Sequence, residues 1–512
     1  MSEPVLHIVI IWPHGNEKRE QIVSDISNSF KLLNIFLVEW EASYFYENLK
    51  RFYAHSLQDK SPTELEAILK HKIEHCGNGP FTALLFEDDA PNFENRKTSN
   101  GTTLVNANVF DKKALYRKWV GGGHKIHASD TLFETNKDIA LLFGCTTETF
   151  KKKFTPSKSI RQHTQNIVGV PTYQSIEELF FVLNQTMSYV VLRNFEALPD
   201  AYFVADHGDI DLLVENKKYI CYLTGALNCF PEGKDRVYHT ISVKDEAVPF
   251  DFRYVGDGYY DTQWQLAILN QRQLTSKGFY IPTTDHYFYS LLYHAFIQKR
   301  KVSDDYKQRL QAIAEEIDIE FKATQSSEAT FKLLDAHMQS KGYTYSLPKD
   351  STVYFNKKFV EQGTTSHNAK QSGVLISSTI SRTNSASFLT EVYETDNGFL
   401  KIANDPIVTN EIEFLSTLKD SGCVPRILNT VMRDGSSEVL LEKIDGVPLS
   451  QLVRDAGFWH VKNIKEFIMQ LFDMLLVLVQ NDIIHRDIRP ANILAQKTEK
   501  GYKPWLIDFG WS

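Results

Sequence analysis

The segment HRDIRPANIL, residues 485–494, decides how the C-terminal part of this 512-residue chain is expected to fold. It joins a carboxylate, Asp487, to an amide, Asn492, five residues later, and the segment LIDFG at 506–510 adds a second carboxylate, Asp508. Phosphoryl transfer needs a carboxylate that orients an attacking hydroxyl, together with oxygen ligands for a nucleotide-bound metal. These residues therefore predict Asp487 as a catalytic base and Asn492 and Asp508 as metal ligands.

The other parts of such a site lie upstream in a consistent order. Lys401 lies in the strand-like segment FLKIA, where its amine could contact the α- and β-phosphates of a nucleotide. Glu411, on the helical segment that follows, could pair with Lys401, and Glu413 is the alternative partner. Residues 441–449 then suit a hinge whose backbone would hold adenine, and the apolar segment 464–479 predicts a helix before the catalytic loop.

Together these motifs resemble the protein-kinase-like superfamily over residues 374–512. The resemblance is strongest to the branch that phosphorylates small molecules and sugars, which includes aminoglycoside and lipopolysaccharide kinases. In that branch Asp-x-His or Asp-x-Arg often replaces Asp-x-Lys, and Arg489 takes that place here. The resemblance implies ATP or another nucleoside triphosphate as donor, Mg²⁺ or Mn²⁺ as the ion, and a small-molecule or glycan acceptor.

Two features depart from the pattern of this superfamily. The segment SRTNSASF, residues 381–388, contains no glycine, so the loop that normally covers the phosphates is altered. The sequence also stops at Ser512, two residues after Gly510. We therefore expect a kinase-like domain truncated after DFG, either as part of a longer protein or with a naturally reduced lobe. In both cases we expect it to keep the half of the site that binds ATP and metal and to lack the usual platform for the acceptor, so nucleotide binding is expected before turnover.

A second set of carboxylates lies in the middle of the chain. The segment HGDIDLLV at 207–214 places Asp209 and Asp211 two residues apart on a predicted strand, where their side chains face the same side. A later strand-like segment, VPFDFRYV at 248–255, offers Asp251 as a third carboxylate. Three such carboxylates can bind two metal ions, one that activates an attacking oxygen and one that steadies a triphosphate. All three are therefore predicted metal ligands, and Asp251 is also predicted to be catalytic.

This arrangement resembles the nucleotidyltransferase superfamily, with residues 284–338 as its helical appendage. The Gly-Ser pair that cradles phosphates in that family is not evident here. The segment VVLRNFE at 190–196 stands in its place, and Arg193 could contact a phosphate instead. The alternative interpretation is a set of surface acids on an edge strand, or a degenerate domain that only binds.

The N-terminal part carries a histidine in the segment GGGHKIHASDTLFETNKDIALLFG, residues 121–144. This segment resembles the active site of nucleoside diphosphate kinases, whose pattern is N-x-x-H-G-S-D followed by a helix. His127 falls on the phosphate-accepting histidine, Asp138 on the glutamate that orients its ring, and Tyr53 on a nucleotide-site tyrosine. A neutral imidazole is a good nucleophile toward a γ-phosphate, and a carboxylate on its other nitrogen fixes the tautomer.

This N-terminal resemblance also has departures. Trp12 stands where the family has a phosphate-binding lysine, and His124 stands where it has an asparagine. The alternative is that His127 is a structural or nucleotide-contacting histidine in a degenerate scaffold.

Composition restricts the remaining classes of function. The formal net charge is −8, so no global basic field indicates a nucleic-acid partner. The five cysteines form no CxxC pair and predict reduced thiols in a cytoplasmic protein. No apolar stretch is long enough for a membrane span, and the N-terminus does not have the pattern of a signal peptide. The oligomeric state is left open.

The sequence therefore predicts a multidomain α/β and α+β protein. The expected domains are a ferredoxin-like, nucleoside-diphosphate-kinase-like domain at 1–160, a nucleotidyltransferase-fold domain with C-terminal helices at 167–350, and the kinase-like domain at 374–512. The expected function is ATP- and metal-dependent phosphoryl or nucleotidyl transfer to a small molecule or glycan, and a role in surface-polysaccharide biosynthesis follows by analogy alone. The alternatives are a nucleotide-binding regulatory scaffold with degenerate catalytic domains, or a toxin-like nucleotidyltransferase that modifies a macromolecule.

Overall fold

The chain divides into two compact units, Met1–Gly363 and Thr364–Ser512. The structure, a computed structural model, describes residues 3–98, 101–201, 209–230, 237–361, 374–382, 387–395, 398–403, 407–433, 436–453, 461–498 and 501–509. None of the helices in these ranges combines the length and apolar character that a bilayer crossing requires. The polar segment QGTTSHNAKQSG, residues 362–373, is predicted from its composition to be a linker before the kinase-like domain, and it lies outside the described residues.

The N-terminal part of the first unit folds around a five-stranded sheet. Its helices and strands, in chain order, are β1 (Val5–Ile11), α1 (Arg19–Ser29), β2 (Lys31–Glu39), α2 (Phe45–Phe52), α3 (Ala54–Leu57), α4 (Pro62–Cys76), β3 (Phe81–Asp88), β4 (Phe93–Thr98), β5 (Gly101–Asn106), α5 (Ala107–Trp119), β6 (Ile126–Ala128), α6 (Leu132–Phe143), α7 (Thr147–Lys153) and β7 (Ser157–Thr164). The strand order is β6-β1-β3-β2-β7, in which only β2 and β7 are parallel neighbours. Strands β4 and β5 form a separate hairpin.

The central strand β1 has apolar packing on both faces, which explains its continuous hydrophobic sequence. Ile8 and Ile10 point into one hydrophobic cluster, while Val9 and Ile11 point into another. Alternate side chains of a strand face opposite sides, so helices can cover both surfaces of this sheet. The strand β6, which carries His127, pairs with β1 and is positioned by this core.

One boundary of the N-terminal block differs from the sequence prediction. The spacing of apolar residues predicts a helix over 19–33, but α1 ends at Ser29 and Phe30 is already extended. Lys31 and Leu32 instead pair with Glu87 and Phe86 of β3. Strand pairing satisfies the backbone groups and buries Leu32 in the same sheet, and this tertiary contact overrides the local helical pattern.

The middle part of the first unit contains a second five-stranded sheet. Its elements are α8 (Ile176–Thr186), β8 (Tyr189–Val191), β9 (Ile210–Val214), α9 (Lys217–Thr224), β10 (Leu227–Asn228), β11 (Tyr238–Val243), β12 (Glu246–Tyr254), α10 (Thr262–Asn270), β13 (Gln273–Leu274), β14 (Tyr280–Ile281), α11 (Thr284–Ile297), α12 (Asp304–Glu316), α13 (Ser327–Lys341) and α14 (Lys357–Glu361). The strand order is β10-β11-β12-β9-β8, with β9 and β12 parallel. Asp211 of β9 lies opposite Asp251 of β12 in this register.

The two sheets of the first unit share one hydrophobic cluster, which includes Phe36 and Phe81 from the first and Leu212 and Phe250 from the second. A hydrogen bond also joins the N-terminal and middle parts of this unit: Tyr222 Oη on α9 donates to the carbonyl of Lys60 at 2.9 Å. The boundaries 1–160 and 167–350 therefore remain predictions within a unit whose core is continuous.

The second unit begins with an antiparallel sheet and continues into helices. Its elements are β15 (Val374–Arg382), β16 (Ser387–Thr395), β17 (Gly398–Ala403), α15 (Ile407–Thr417), β18 (Ile427–Arg433), β19 (Ser436–Leu441), β20 (Val447–Pro448), α16 (Leu449–Leu452), α17 (Val461–Gln480), β21 (Ile493–Thr498) and β22 (Gly501–Leu506). The main sheet has the order β15-β16-β17-β19-β18, and β20-β21-β22 form a small second sheet. A cluster containing Leu415, Leu478 and Leu506 joins α15, α17 and β22.

Candidate active sites

The predicted kinase residues of the second unit meet through a chain of ion pairs. Lys401 Nζ lies 2.5 Å from Glu411 Oε2 and 2.6 Å from Asp508 Oδ1. Glu411 is buried on α15, whereas the alternative partner Glu413 faces solvent. Burial alone would lower the pKa of Lys401, but the two carboxylates hold that pKa above its ordinary value. The pairing keeps the ammonium of Lys401 charged and in one position.

Asp487 is held in place by its neighbours in the catalytic segment. Its Oδ2 accepts a hydrogen bond from Asn492 Nδ2 at 2.8 Å and lies 3.1 Å from Arg489 Nε. Arg486, the preceding residue, has φ +61°, and the Asp487 amide donates to the carbonyl of His485 at 2.8 Å. This local turn and the two side-chain partners fix one carboxylate oxygen and orient the other.

The segment of Asp508 is tied directly to the segment of Asp487. The amide of Ile507 donates to the carbonyl of Asn492 at 3.0 Å, and His485 Nε2 lies 3.1 Å from the carbonyl of Ile507. The His485 ring also packs against Phe509 at 4.6 Å. These contacts bring the predicted base and the predicted metal ligands into one site.

The donor set around Asp508 fits a hard divalent cation such as Mg²⁺ or Mn²⁺. Asn492 uses its NH₂ group on Asp487, which leaves its carbonyl oxygen as a ligand. Asp508 uses one oxygen on Lys401 and is 38% exposed at the side chain. Oxygen ligands from one carboxylate and one amide, completed by water and phosphate, are what such ions prefer. Gly510 and residues 383–386 of the altered loop lie outside the described part of the chain.

The three middle-block carboxylates also converge. Oxygen atoms of Asp209, Asp211 and Asp251 all lie within 4.8 Å of one another, because β9 and β12 are paired in parallel. Burial raises the pKa of each carboxyl group above the ordinary aspartate value. A cation would relieve the repulsion among these charges, so the geometry and the chemistry of the donors fit a divalent metal.

Two arginines already neutralise part of this cluster. Arg193 Nη2 lies 2.5 Å from Asp211 Oδ1, and Arg253 Nη2 lies 3.2 Å from Asp251 Oδ2. Both guanidinium groups lie over the ring of Tyr259. Arg193 therefore lies in the site and pairs there with the carboxylate of Asp211. Its contact with a phosphate stays a prediction, in which the phosphate or a metal would compete for this ion pair.

Sequence reasoning missed Arg253 and Tyr259. Arg253 lies two residues after Asp251 on β12, so the period-2 rule that grouped Asp209 with Asp211 also places Arg253 beside Asp251. No sequence pattern pointed to Tyr259, because only the turn after β12 brings its ring beside the two guanidinium groups. The ring centre lies 4.1 Å from Cζ of Arg253 and 5.7 Å from Cζ of Arg193. His207 and Gly208 of the original motif lie outside the described residues.

His127 lies on β6 and makes the predicted contact with Asp138. Its Nε2 is 2.6 Å from Asp138 Oδ2, and Lys137 Nζ is 2.5 Å from Asp138 Oδ1. Burial lowers the pKa of His127 in spite of that carboxylate, which favours the neutral imidazole. Its ring also packs edge-on against Tyr53 at 5.8 Å. Nδ1 makes no hydrogen bond within the described residues, so the contact of Nε2 with Asp138 leaves the lone pair of Nδ1 available. The role of His127 as a nucleophile stays a prediction.

Trp12 has a structural role in this site. It is fully buried and packs on Phe81 at 4.6 Å and on Trp40 at 5.8 Å. Its Nε1 donates to the hydroxyl of Tyr53 at 3.3 Å. The position that carries a phosphate-binding lysine in the resembled family is therefore part of the hydrophobic core here.

Comparison with known proteins concerns the C-terminal part of the chain. Residues 396–512 match the family described as protein kinase domain. Serine/threonine-protein kinase B of Synechocystis sp. is 31% identical over 100 residues, which is 20% of this chain and 17% of that protein. Serine/threonine-protein kinase ATG1c of Arabidopsis thaliana is 33% identical over 87 residues, covering 17% of this chain and 12% of that protein. Mitogen-activated protein kinase kinase kinase A of Dictyostelium discoideum is 36% identical over 118 residues, covering 22% and 12% respectively.

The chain thus spans 17% or less of the length of these relatives. The C-terminal block is a protein kinase domain, which confirms the predicted fold of this block and places its chemistry among the phosphotransferases. The nucleotidyltransferase-like and nucleoside-diphosphate-kinase-like assignments stay predictions.

Proposed function

We propose that the second unit transfers the γ-phosphate of ATP, or of another nucleoside triphosphate, to a hydroxyl group of a small molecule or glycan. The observation that carries this proposal is the connected set Glu411–Lys401–Asp508, with Asp487 and Asn492 hydrogen-bonded beside it. A domain that only binds nucleotide has no chemical need for a carboxylate held in the position of a base. The proposal therefore assigns turnover as well as binding to this unit.

The roles of the residues follow from their contacts. Asp487 accepts the proton of the acceptor hydroxyl while its oxygen attacks the γ-phosphorus, and the bond from that phosphorus to the β-phosphate oxygen breaks to release ADP. Lys401, which Glu411 holds, contacts the α- and β-phosphates. Mg²⁺ or Mn²⁺ held by Asp508 and Asn492 would neutralise charge on the phosphates.

Arg489 favours the small-molecule acceptor within this proposal. It takes the position in which the small-molecule and sugar kinases replace lysine, and it lies 3.1 Å from the proposed base with 59% of its side chain exposed. A role in surface-polysaccharide biosynthesis follows from that resemblance. The names of the relatives point instead to serine or threonine hydroxyls, which makes a protein the competing acceptor. The five free thiols support a reducing, cytoplasmic compartment.

Asp508→Ala tests the nucleotide and metal site of this unit. We expect ATP with Mg²⁺ to raise the unfolding temperature of the wild-type chain, because a ligand at 100 times its Kd stabilises a protein by about 2.7 kcal/mol. The metal-dependent part of that shift should disappear in Asp508→Ala, since the variant loses a metal ligand and the partner of Lys401. Thermal unfolding with ATP or CTP, with and without Mg²⁺ or Mn²⁺, measures it.

Asp473→Ala is the matched control. It replaces aspartate by alanine in the same unit, but Asp473 is exposed on α17, away from the predicted site residues. It should keep the full metal-dependent shift. If the wild-type chain shows no shift with any nucleotide, the enzyme interpretation fails.

A second function, nucleotidyl transfer by the middle block, is proposed on the convergence of Asp209, Asp211 and Asp251 within 4.8 Å. An acceptor hydroxyl would attack the α-phosphorus of a nucleoside triphosphate, pyrophosphate would leave, and Asp251 would take the hydroxyl proton. Asp209 and Asp211 would hold the divalent ion. Arg193 and Arg253 would then be free to exchange a carboxylate for a phosphate.

Asp209→Asn tests the nucleotidyl-transfer proposal. With a nucleoside triphosphate labelled at the α-phosphate, we expect the variant to transfer less label than the wild-type chain, because an amide is a weaker metal ligand than a carboxylate. Asp245→Asn, an exposed aspartate in the turn between β11 and β12, is the matched control and should transfer label normally. Equal transfer by Asp209→Asn would contradict the proposal.

The same assay identifies the class of acceptor. Label on a protein or RNA would support the toxin-like alternative, and label only on small molecules would count against that alternative.

A further inference from the structure

Three imidazoles meet at the C-terminal end of α4 and belong to neither function proposed above. We call them the histidine cluster and define it as His71 and His75 on α4 and His124 in the turn before β6. The ring centres of His71 and His75 lie 6.1 Å apart, and those of His75 and His124 lie 6.4 Å apart. His75 is therefore the shared neighbour of two other imidazoles.

The spacing of the first two histidines places them on one face of the helix. His71 and His75 are the first and last residues of the segment HKIEH, and side chains at positions i and i+4 of an α-helix are neighbours. Their rings are nearly parallel, at 18° to each other. Two histidines at this spacing on one helical face recur as zinc ligands, because a nitrogen of each ring can reach the same ion.

His75 carries a ring nitrogen that has no partner. Its Nε2 is buried and makes no hydrogen bond within the described residues. The neighbouring loop leaves room at this atom only because residue 123 is glycine, since a Cβ at Gly123 would lie 1.9 Å from His75 Nε2. Gly123 also has φ +75°, a conformation that glycine adopts without strain. A buried polar atom without a partner is costly, and a ligand that the atom can bind removes that cost.

The turn that carries His124 is anchored to the end of α4. Cys76 Sγ donates to the carbonyl of His124 at 3.2 Å, which fixes the backbone of the turn beside the helix. The side chains of His71 and His124 are both exposed and can rotate toward His75. Two imidazoles on a tetrahedral zinc ion, with Zn–N bonds of about 2.1 Å, hold their ring centres about 5 Å apart, so each pair of rings has about 1 Å to close. Side-chain rotation is enough for that movement.

The charges around the cluster favour neutral imidazole, which is the form that binds a metal ion. Burial lowers the pKa of His124, and the positive charges of Lys72 and Arg117 lower it further. The Lys72 ammonium lies 3.8 Å from the centre of the Tyr53 ring, and no ion pair joins it to a carboxylate in the described part of the chain. These positive charges also oppose a bound cation, so binding depends on the bonds from the ring nitrogens rather than on a general attraction of charge.

We propose that His71, His75 and His124 together bind one divalent transition-metal ion of the zinc class. Three imidazole nitrogens suit Zn²⁺, which is commonly four-coordinate, and a water molecule would complete its coordination. Mg²⁺ prefers oxygen ligands, so the histidine cluster selects against the ion that suits the carboxylate sites. The bound ion would link α4 to the turn before β6 and stabilise the first unit. The proposal is independent of both functions proposed above.

The test uses the full-length chain with Mg²⁺ in excess, which competes for the oxygen-ligand sites, and the probes are Zn²⁺ and Co²⁺. Titration calorimetry should give a Kd for Zn²⁺ that is at least tenfold weaker in His71→Gln and in His124→Gln, a change of about 1.4 kcal/mol for each. Both side chains are exposed, so these variants should fold as the wild type does. Co²⁺ should show the intense visible absorption of tetrahedral coordination, which an octahedral oxygen site lacks.

His163→Gln is the matched control, because it makes the same change on β7, outside the cluster. The glutamine amide can still donate to the carbonyl of Leu142, as His163 Nε2 does at 2.8 Å, so this variant should bind Zn²⁺ normally. Circular dichroism confirms that each variant is folded. The proposal is overturned if His71→Gln or His124→Gln binds Zn²⁺ as tightly as His163→Gln. It is also overturned if the Co²⁺ spectrum carries a thiolate charge-transfer band, which would assign the ion to a cysteine.

Discussion

Asp487→Asn is expected to lower phosphoryl transfer from ATP by about 10²–10⁴-fold, the usual contribution of a positioned general base. ATP affinity should change little, because Lys401, Glu411 and Asp508 form a separate chain of ion pairs. The amide can still accept hydrogen bonds from Asn492 and Arg489, so the geometry of the loop is retained while the capacity to take a proton is lost. A large loss of rate with intact binding is therefore the signature of a catalytic base.

The measurement is ADP formation from ATP in the presence of a mixture of sugars or of serine- and threonine-containing peptides, together with calorimetric ATP binding. Asp482→Asn is the matched control in the same segment. Asp482 is exposed and has φ +56°, a conformation that asparagine tolerates, so it should keep the wild-type rate. An unchanged rate in Asp487→Asn would show that another group accepts the proton.

Trp12→Ala is expected to lower the free energy of unfolding of the first unit by about 3–5 kcal/mol, the range for removing a large aromatic side chain from a core. The indole is fully buried against Phe81 and Trp40, and it also donates a hydrogen bond to the Tyr53 hydroxyl. Its loss leaves a cavity between the sheet and α2 and an unsatisfied partner. Urea unfolding followed by far-UV circular dichroism measures the change.

Phe93→Ala is the control for this prediction, because it removes an aromatic side chain that is 37% exposed in the same unit. It should cost about 1 kcal/mol or less, as surface substitutions generally do. Trp12→Lys, which restores the residue of the resembled family, should destabilise at least as much as Trp12→Ala, since it buries an ammonium among aromatic rings. A loss below about 1 kcal/mol in Trp12→Ala would show that the indole does not support the core.

The residues predicted for the kinase site lie in short, ordered motifs, so the sequence alone indicates most of the side chains that the fold brings together. Asp487 and Asn492 lie five residues apart, so local geometry alone brings them together. The pairing of Lys401 was less certain, because Glu411 and Glu413 lie on the same helical segment. Only the direction in which α15 packs on the sheet selects Glu411 and leaves Glu413 in solvent.

Residues that act through long-range packing escaped prediction. Lys72 lies 19 residues after Tyr53 in the sequence, and only the fold of α4 places its ammonium group over that ring. The sequence indicates Arg193 as a site residue but does not indicate its ion-pair partner. Only the pairing of β8 with β9 brings Asp211 beside Arg193. In each case the contact joins elements whose spatial relation is absent from any local pattern.

The amino-acid sequence by itself determined the protein kinase fold of the C-terminal block, the strand periodicity that groups Asp209 with Asp211, and the histidine–carboxylate spacing of His127 and Asp138. The kinase fold is indicated by motifs that are each short and that follow one another in a fixed order. The other two features depend on residues close in the chain, where backbone geometry dictates which side chains meet. Tertiary structure alone decided that two arginines neutralise the acidic cluster, that Trp12 belongs to the core, and that Lys72 is left without an acidic partner. Those outcomes depend on burial and on charges contributed by distant segments, and a side chain acquires them only when the sheets and helices pack.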